Sequence, residues 1–322
     1  MKKSLLLMGS LSVFGLSLAF RPIALDEEPQ TKVQLGEKLF FDPILSSDRT
    51  ISCATCHKPE FAFADTAKFS RGVGGKLTDR NTPSAMNLVG RIHLFWDGRA
   101  SSLEMQALQP IAAPNEMNLP IAEAVVRLEQ HPGYASAFNR LFKQKPSAQT
   151  LAEALSAYER TLETGDTPYD RFVNGDDAAL SASAQRGRLL FIGKANCANC
   201  HAGEDFTADR FKNIGLYDGK TLQDAGRFTV TKDSTQMGHF KVPGLRNVAI
   251  TPPYMHNGMF KTLRQVLDYY NQPDAVVKGG HNRDLSLSTP LNLNEAELTD
   301  LESFLQALTD DRFTAKANVT KP

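Results

Sequence analysis

The sequence predicts an all-α fold made of two similar domains with long loops between their helices. Three observations lead there. Apolar residues recur at helical spacing in several segments. No convincing run of alternating apolar and polar residues appears. The features of the first half return, in the same order, in the second. With 322 residues the chain accommodates two domains, each long enough to bury its own core.

The helical segments justify the first point. Residues 122–130 are amphipathic, and residues 151–162 carry apolar side chains at helical spacing with Ser147 placed as an N-cap. Residues 262–270 read as another helix. Near the end Asn294 stands three positions before Glu297, a start resembling a capping box, and Leu298, Leu301, Phe304, Leu305 and Leu308 form a buried stripe. The Gly- and Pro-rich stretches 70–75 and 242–253 read as functional loops.

The duplication justifies the second domain. Gly36-Glu-Lys-Leu39-Phe40 is matched by Gly187-Arg-Leu-Leu190-Phe191, and Arg80-Asn81 by Arg246-Asn247. Trp96-Asp97-Gly98 is matched by His256-Asn257-Gly258, with Leu103 and Leu263 each seven positions beyond the first residue. The halves meet near residues 164–177, giving domains 25–170 and 171–322.

Composition narrows the function classes. Lys plus Arg and Asp plus Glu both number 36, so the formal net charge is zero. No basic excess points to nucleic acid, and no acidic tract points to disorder. Local charged patches for a redox partner stay compatible with that balance. Lys2 and Lys3 precede an apolar run from Leu5 to Phe20, which reads as a signal peptide, residues 1–24, exporting the chain to the periplasm. An uncleaved anchor is the alternative, because the run approaches the lower length limit for a membrane span. No Cys follows the run, which argues against a lipoprotein.

The four cysteines carry the chemistry. They stand as Cys53-Ala-Thr-Cys56-His57 and Cys197-Ala-Asn-Cys200-His201. Exported chains with even cysteine counts usually form disulfides, but C-x-x-C-H is the attachment signature of c-type haem. Two thiols on one helical turn can each bond a vinyl group of one porphyrin, and the adjacent imidazole then serves as the proximal iron ligand. A thioredoxin-like pair or half a zinc site would fit one copy. Two copies, with no other Cys, point to two covalently bound haem c groups and to two cytochrome c-like domains with long haem-packing loops.

With these motifs in place the chain resembles the bacterial di-haem cytochrome c peroxidases and their relative MauG. The resemblance runs from about residue 35 to 308. It rests on Leu-Phe-Phe-Asp-Pro (39–43), Ile-Ser-Cys-Ala-Thr-Cys-His (51–57), Arg-Asn-Thr-Pro (80–83), Phe-Trp-Asp-Gly-Arg-Ala (95–100), Asn-Glu-Met-Asn (115–118), Gly-Leu-Arg-Asn-Val-Ala (244–249) and Pro-Pro-Tyr-Met-His-Asn-Gly (252–258). It implies a peroxidatic haem in the N-terminal half and an electron-transfer haem in the C-terminal half, with Trp96 between them. Without the motif Trp96 would read as a core aromatic. Glu116 matches the acid/base glutamate and Gln106 a neighbouring amide; without the motif both would read as surface residues. Asn81 with the carbonyls of Thr251 and Pro253 matches an inter-domain calcium site, a set of oxygen ligands suited to a hard cation.

Two departures from the typical peroxidase stand out. Many members place a His in the loop after the first haem site to block that iron; Val73 occupies the position here and cannot ligate. The typical peroxidase also supplies a Met fourteen positions after the His of Pro-Tyr-x-His-x-Gly, whereas fourteen positions after His256 lies Tyr270, as in MauG. Fourteen positions after Trp96 lies Pro110, which has no donor atom. The competing ligands for the second iron are Met255, Met259 and Met237. His256 is expected near the haem–haem interface, and His93, His131, His239 and His281 on the surface or in loops.

The resemblance therefore implies a peroxidase reducing hydrogen peroxide with electrons from a small cytochrome c or cupredoxin. The alternatives are a MauG-like enzyme oxidising residues of a partner protein through a high-valent state, and a non-catalytic di-haem electron carrier. A homodimer is compatible with each.

Overall fold

A computed structural model describes residues 28–278 and 280–317; the expected signal peptide lies outside them. The chain is mostly helical. Its longer helices are α1 (Lys32–Phe41), α2 (Leu103–Ala112), α3 (Ile121–Gln130), α4 (Pro132–Phe142), α5 (Ala148–Glu159), α6 (Ala182–Ile192), α7 (Leu263–Asn271) and α8 (Glu295–Gln306). Among the described residues the only sheet pairs β1 (Phe211–Lys212) with β2 (Phe240–Lys241), antiparallel.

The buried residues gather around two helix crossings. In the first half α1 packs on α5, burying Leu35, Leu39, Phe40, Leu151, Leu155 and Tyr158. In the second α6 packs on α8, burying Phe191, Leu298, Leu301, Phe304 and Leu305. The shared Gly of the G-x-x-L-F motif has one cause in both places. A Cβ at Gly36 would stand 1.9 Å from the Ala154 carbonyl oxygen, and one at Gly187 would stand 1.9 Å from that of Asp300. Only a residue without a side chain lets the two backbones approach that closely.

The caps read from sequence are in place. The Ser147 hydroxyl accepts from the Thr150 amide, and Asn294 and Glu297 exchange side-chain to backbone hydrogen bonds at the start of α8. The end of α5 differs from expectation: it stops at Glu159, and the chain winds through tight turns to Leu162, which is still buried. α2 was not legible because Pro110 sits inside it; its N-cap Ser102 accepts from the Met105 amide, as Thr262 accepts from Gln265 at the start of α7.

Each of these two helices follows the same loop. The Leu94 amide donates to the Ala100 carbonyl (2.9 Å), and Tyr254 to Phe260 (2.7 Å). Phe95 and Met255 share positive φ values of 64° and 72°. Trp96 and His256 are thus equivalent residues of two copies of one loop. The last helix, Asp311–Ala317, returns to the first half, where Phe313 packs on its core.

Candidate active site

Both C-x-x-C-H segments fold as single turns that fix their histidine. In the first, the one-turn helix Cys53–Cys56 starts with the Ser52 amide donating to Thr55 Oγ1, and the His57 amide donates to the Cys53 carbonyl (2.9 Å). In the second, the turn Cys197–Asn199 lets the His201 amide donate to the Cys197 carbonyl (2.9 Å). His57 Nδ1 lies 2.9 Å from the Phe63 carbonyl oxygen and His201 Nδ1 3.0 Å from that of Phe206. Phe63 and Phe206 both hold positive φ to present those carbonyls. With Nδ1 donating, Nε2 carries the lone pair a metal needs. Burial lowers the pKa of both imidazoles, keeping them neutral.

The thiols bear on the choice between haem and its rivals. None of the four cysteines forms a disulfide. Burial pushes Cys56 up to about 11 and Cys197 up to about 12, and raises Cys53 and Cys200 as well. A zinc site or a redox dithiol needs the opposite, a stabilised thiolate. Among the described residues no cluster of three or more His, Cys, Asp or Glu could hold a metal ion. Buried protonated thiols with a neutral imidazole fit a porphyrin held through thioethers.

One cavity of about 860 Å³ joins the two sites, and its lining includes His57, Gln106, Glu116, Trp96, His201 and Tyr270. Gln106 projects from α2, and Glu116 from the loop that follows. That loop is closed by the Glu116 amide donating to the Ala113 carbonyl (3.0 Å) and the Met117 amide to the Pro110 carbonyl (3.1 Å). The loop 70–75 lies against it: the Val73 amide donates to the Glu116 carbonyl (2.8 Å), and a Cβ at Gly72 would stand 2.3 Å from the Asn115 carbonyl oxygen. Gly72 lines the cavity; Val73 does not. Burial raises the Glu116 pKa, with Arg99 opposing from nearby.

Trp96 stands where the halves meet. Its Nε1 donates to the Asn81 carbonyl (2.8 Å), and the Asn81 amide donates to the His256 carbonyl (2.7 Å). The Trp96 and His256 rings meet edge to face at 6.4 Å, and His256 stacks on Phe240 at 3.6 Å. Arg80 ties the layer together, pairing with Asp97 at 2.6 Å and with both oxygens of Asp224 at 2.7 and 2.8 Å. Burial lowers the His256 pKa to about 4, so it is neutral. The Arg-Asn pair, visible in sequence only as a repeated marker, is therefore the clamp of the interface. Of the other histidines, His131 and His281 are exposed and His93 and His239 half-buried.

Tyr270 and Pro110 occupy the same place in α7 and α2, the eighth residue, and both line the cavity. Tyr270 lies close enough to Cys197 and Cys200 for their charges to act on it, and burial pushes its phenol pKa up. Met255 also lines the cavity, whereas Met237 and Met259 do not. Asn81, Thr251 and Pro253 all border the same space. The Asn81 side-chain amide nitrogen donates to the Ala67 and Lys68 carbonyls. An amide oxygen and backbone carbonyls are the donor types a hard cation takes.

Sequence reasoning missed Glu159, a buried carboxyl on the cavity wall. The signal was available: it lies four positions after Leu155, itself four after Leu151, on the buried stripe of α5.

The fold and site define a haem-binding oxidoreductase with two duplicated C-x-x-C-H centres. Comparison with known proteins agrees. The di-haem cytochrome c peroxidase family model matches residues 30–178. Methylamine utilization protein MauG of Methylorubrum extorquens is 43% identical over 282 residues, covering 86% of this chain and 78% of that one. Cytochrome c peroxidase Ccp of Escherichia coli K12 is 41% identical over 284 residues, covering 86% of this chain and 58% of that one. Among solved structures, a MauG-like protein associated with microbial copper homeostasis superposes with a TM-score of 0.78 at 33% identity, over 92% of this chain and 94% of that one. The diheme peroxidase BthA of Burkholderia thailandensis gives 0.78 at 28% identity, over 92% and 88%. The chain belongs to the di-haem cytochrome c peroxidase family and is an oxidoreductase with haem cofactors.

Proposed function

We propose that the chain reduces hydrogen peroxide in its N-terminal half with electrons that a small cytochrome c or cupredoxin delivers to its C-terminal half. The observation that carries this reading is the single cavity joining Glu116, Gln106 and His57 to His201 and Tyr270, with Trp96 on its wall. Cys53 and Cys56 would hold one haem c covalently with His57 on the iron, and Cys197 and Cys200 the other with His201 and Tyr270. When bound, the haems supply the site for peroxide and the one-electron steps. Glu116 takes a proton from one peroxide oxygen and returns it to the other; burial raises its pKa. Gln106 hydrogen-bonds the peroxide and orients it. Trp96, clamped by Asn81, shortens the path between the halves. Asn81, Thr251 and Pro253 would hold calcium across the interface.

Two cytochrome c-like domains meeting near residues 164–177 agree with the two helix crossings and the duplicated loops. Export to the periplasm rests on residues 1–24; among the described residues no helix is long and apolar enough to cross a membrane.

A second reading, oxidation of residues on a partner protein as in a MauG-like enzyme, is favoured by Tyr270 beside the second C-x-x-C-H. An anionic phenolate stabilises oxidised iron more than a thioether does. A pure electron carrier has no use for Glu116 and Gln106 on the cavity wall. Steady-state peroxide consumption with reduced cytochrome c tests the choice. Turnover without prior reduction of the enzyme is expected; no turnover with any small redox donor would favour the second reading.

A further inference from the structure

Among the described residues Glu159 stands apart from the other fully buried carboxyls; Glu163 also has a buried Oε1 without a partner, but it is half-buried and does not line the cavity. Asp65 pairs with Lys58 (2.6 Å) and Ser70 (2.5 Å), Asp97 with Arg80 and Arg99, Asp300 with Arg186, and Asp310 with Arg312 and the Gly165 amide. Glu159 is only 7% exposed, and its Oε2 is buried with no hydrogen-bond partner. Burying an unpaired carboxylate is costlier than burying the neutral acid, so such a group survives as the neutral acid. Burial raises its pKa to about 8.

Its position matters as much as its state. Glu159 ends α5 and lines the same cavity as Cys53, Gln106, Ala107 and Glu116. It lies near enough to Cys53 to act on that thiol's ionisation. The charges acting on it in turn are Arg160, next in the chain, and Glu104, from α2; Glu37 of α1 acts on the neighbouring Tyr158 instead. Arg160 and Glu104 form a partly exposed ion pair at 2.5 Å. The carboxyl therefore sits between solvent-facing charges and the pocket interior.

The proposed reaction has a proton balance that Glu116 alone cannot close. The sum is H2O2 + 2 e− + 2 H+ → 2 H2O. Glu116 only moves the peroxide's own proton from one oxygen to the other as the O–O bond breaks and the first water leaves. The second oxygen leaves as water only after two electrons arrive from the reduced redox protein and two protons enter from outside. We propose that Glu159 is the second proton donor of the N-terminal pocket, giving its proton towards that oxygen and recovering one from solvent past the Arg160–Glu104 pair. This rests on the peroxidase reading.

Infrared difference spectra and stopped-flow kinetics of the haem-loaded protein test it together. At neutral pH the wild type should show the carbonyl band of a protonated, weakly bonded carboxylic acid, which shifts in D2O and fades as pH rises through about 8. Glu159→Gln should remove that band. The same variant should consume the first equivalent of peroxide at wild-type speed, but return to the resting state with excess reduced cytochrome c at least about tenfold more slowly. Glu159→Asp, which keeps the acid, should recover part of that rate. If the wild type shows no band that Glu159→Gln removes, or if the variant's return phase runs at wild-type speed, the proposal is overturned while the peroxidase reading stands. A wild type that consumes no peroxide overturns both.

Discussion

The two halves of the molecule share a scaffold and differ at a few cavity-facing positions. Both cross two helices at a glycine, both seat a histidine against a phenylalanine carbonyl, and both carry the same loop before an equivalent helix. Yet at the eighth position of that helix the first half has Pro110 and the second has Tyr270. Only the first half follows its helix with a closed loop carrying a carboxyl into the cavity, Glu116. The scaffold duplicates, and the side chains diverge where they meet the cavity: one half presents Pro110, which has no donor atom, and the other the phenol of Tyr270.

The sharpest way to break this comparison is Glu116→Gln. The amide keeps the shape and hydrogen bonding but cannot move a proton at neutral pH. Rapid mixing with peroxide should show activation slowed by about 100- to 10,000-fold, the usual contribution of a general acid–base group, with peroxide still bound. An unchanged rate would remove Glu116 from the mechanism and erase the main difference between the halves. Next comes Tyr270→Phe. It should change the spin state of the second haem and leave the first untouched, with both haems still covalently attached on denatured gels. A resting spectrum identical to wild type would return the ligand role to Met255, the other candidate on the cavity wall.

The smallest expected effect tests the shared part. Gly36→Ala and Gly187→Ala each force a methyl against a backbone carbonyl at 1.9 Å. Each should lower the unfolding free energy by about 1–3 kcal/mol or more, as overpacking does. The two losses should be similar if the crossings are equivalent, and thermal denaturation of the haem-loaded protein measures both.

What the sequence revealed follows the same division. The attachment motifs, the helix caps and the duplicated loop are local patterns, so Cys53, Cys56, His57, Asn294 and the Trp96/His256 correspondence were legible. α2 was hidden because Pro110 normally argues against a helix interior. The clamp of Arg80 joins it to Asp97, 17 positions on, and to Asp224, 144 positions on, and no local pattern announces such a pairing. The burial of Glu159 was within reach, four positions after Leu155 on the stripe of α5, but its place on the wall of a shared cavity with Cys53, Gln106 and Glu116 was not.

The asymmetry itself is tested most directly by electron paramagnetic resonance of the resting, fully oxidised protein. With Val73 and Pro110 unable to ligate and Tyr270 proposed to do so, the spectrum should contain one high-spin and one low-spin ferric signal in equal amounts, and peroxide should react without prior reduction. Two low-spin signals, with reactivity appearing only after one electron is added, would contradict the account.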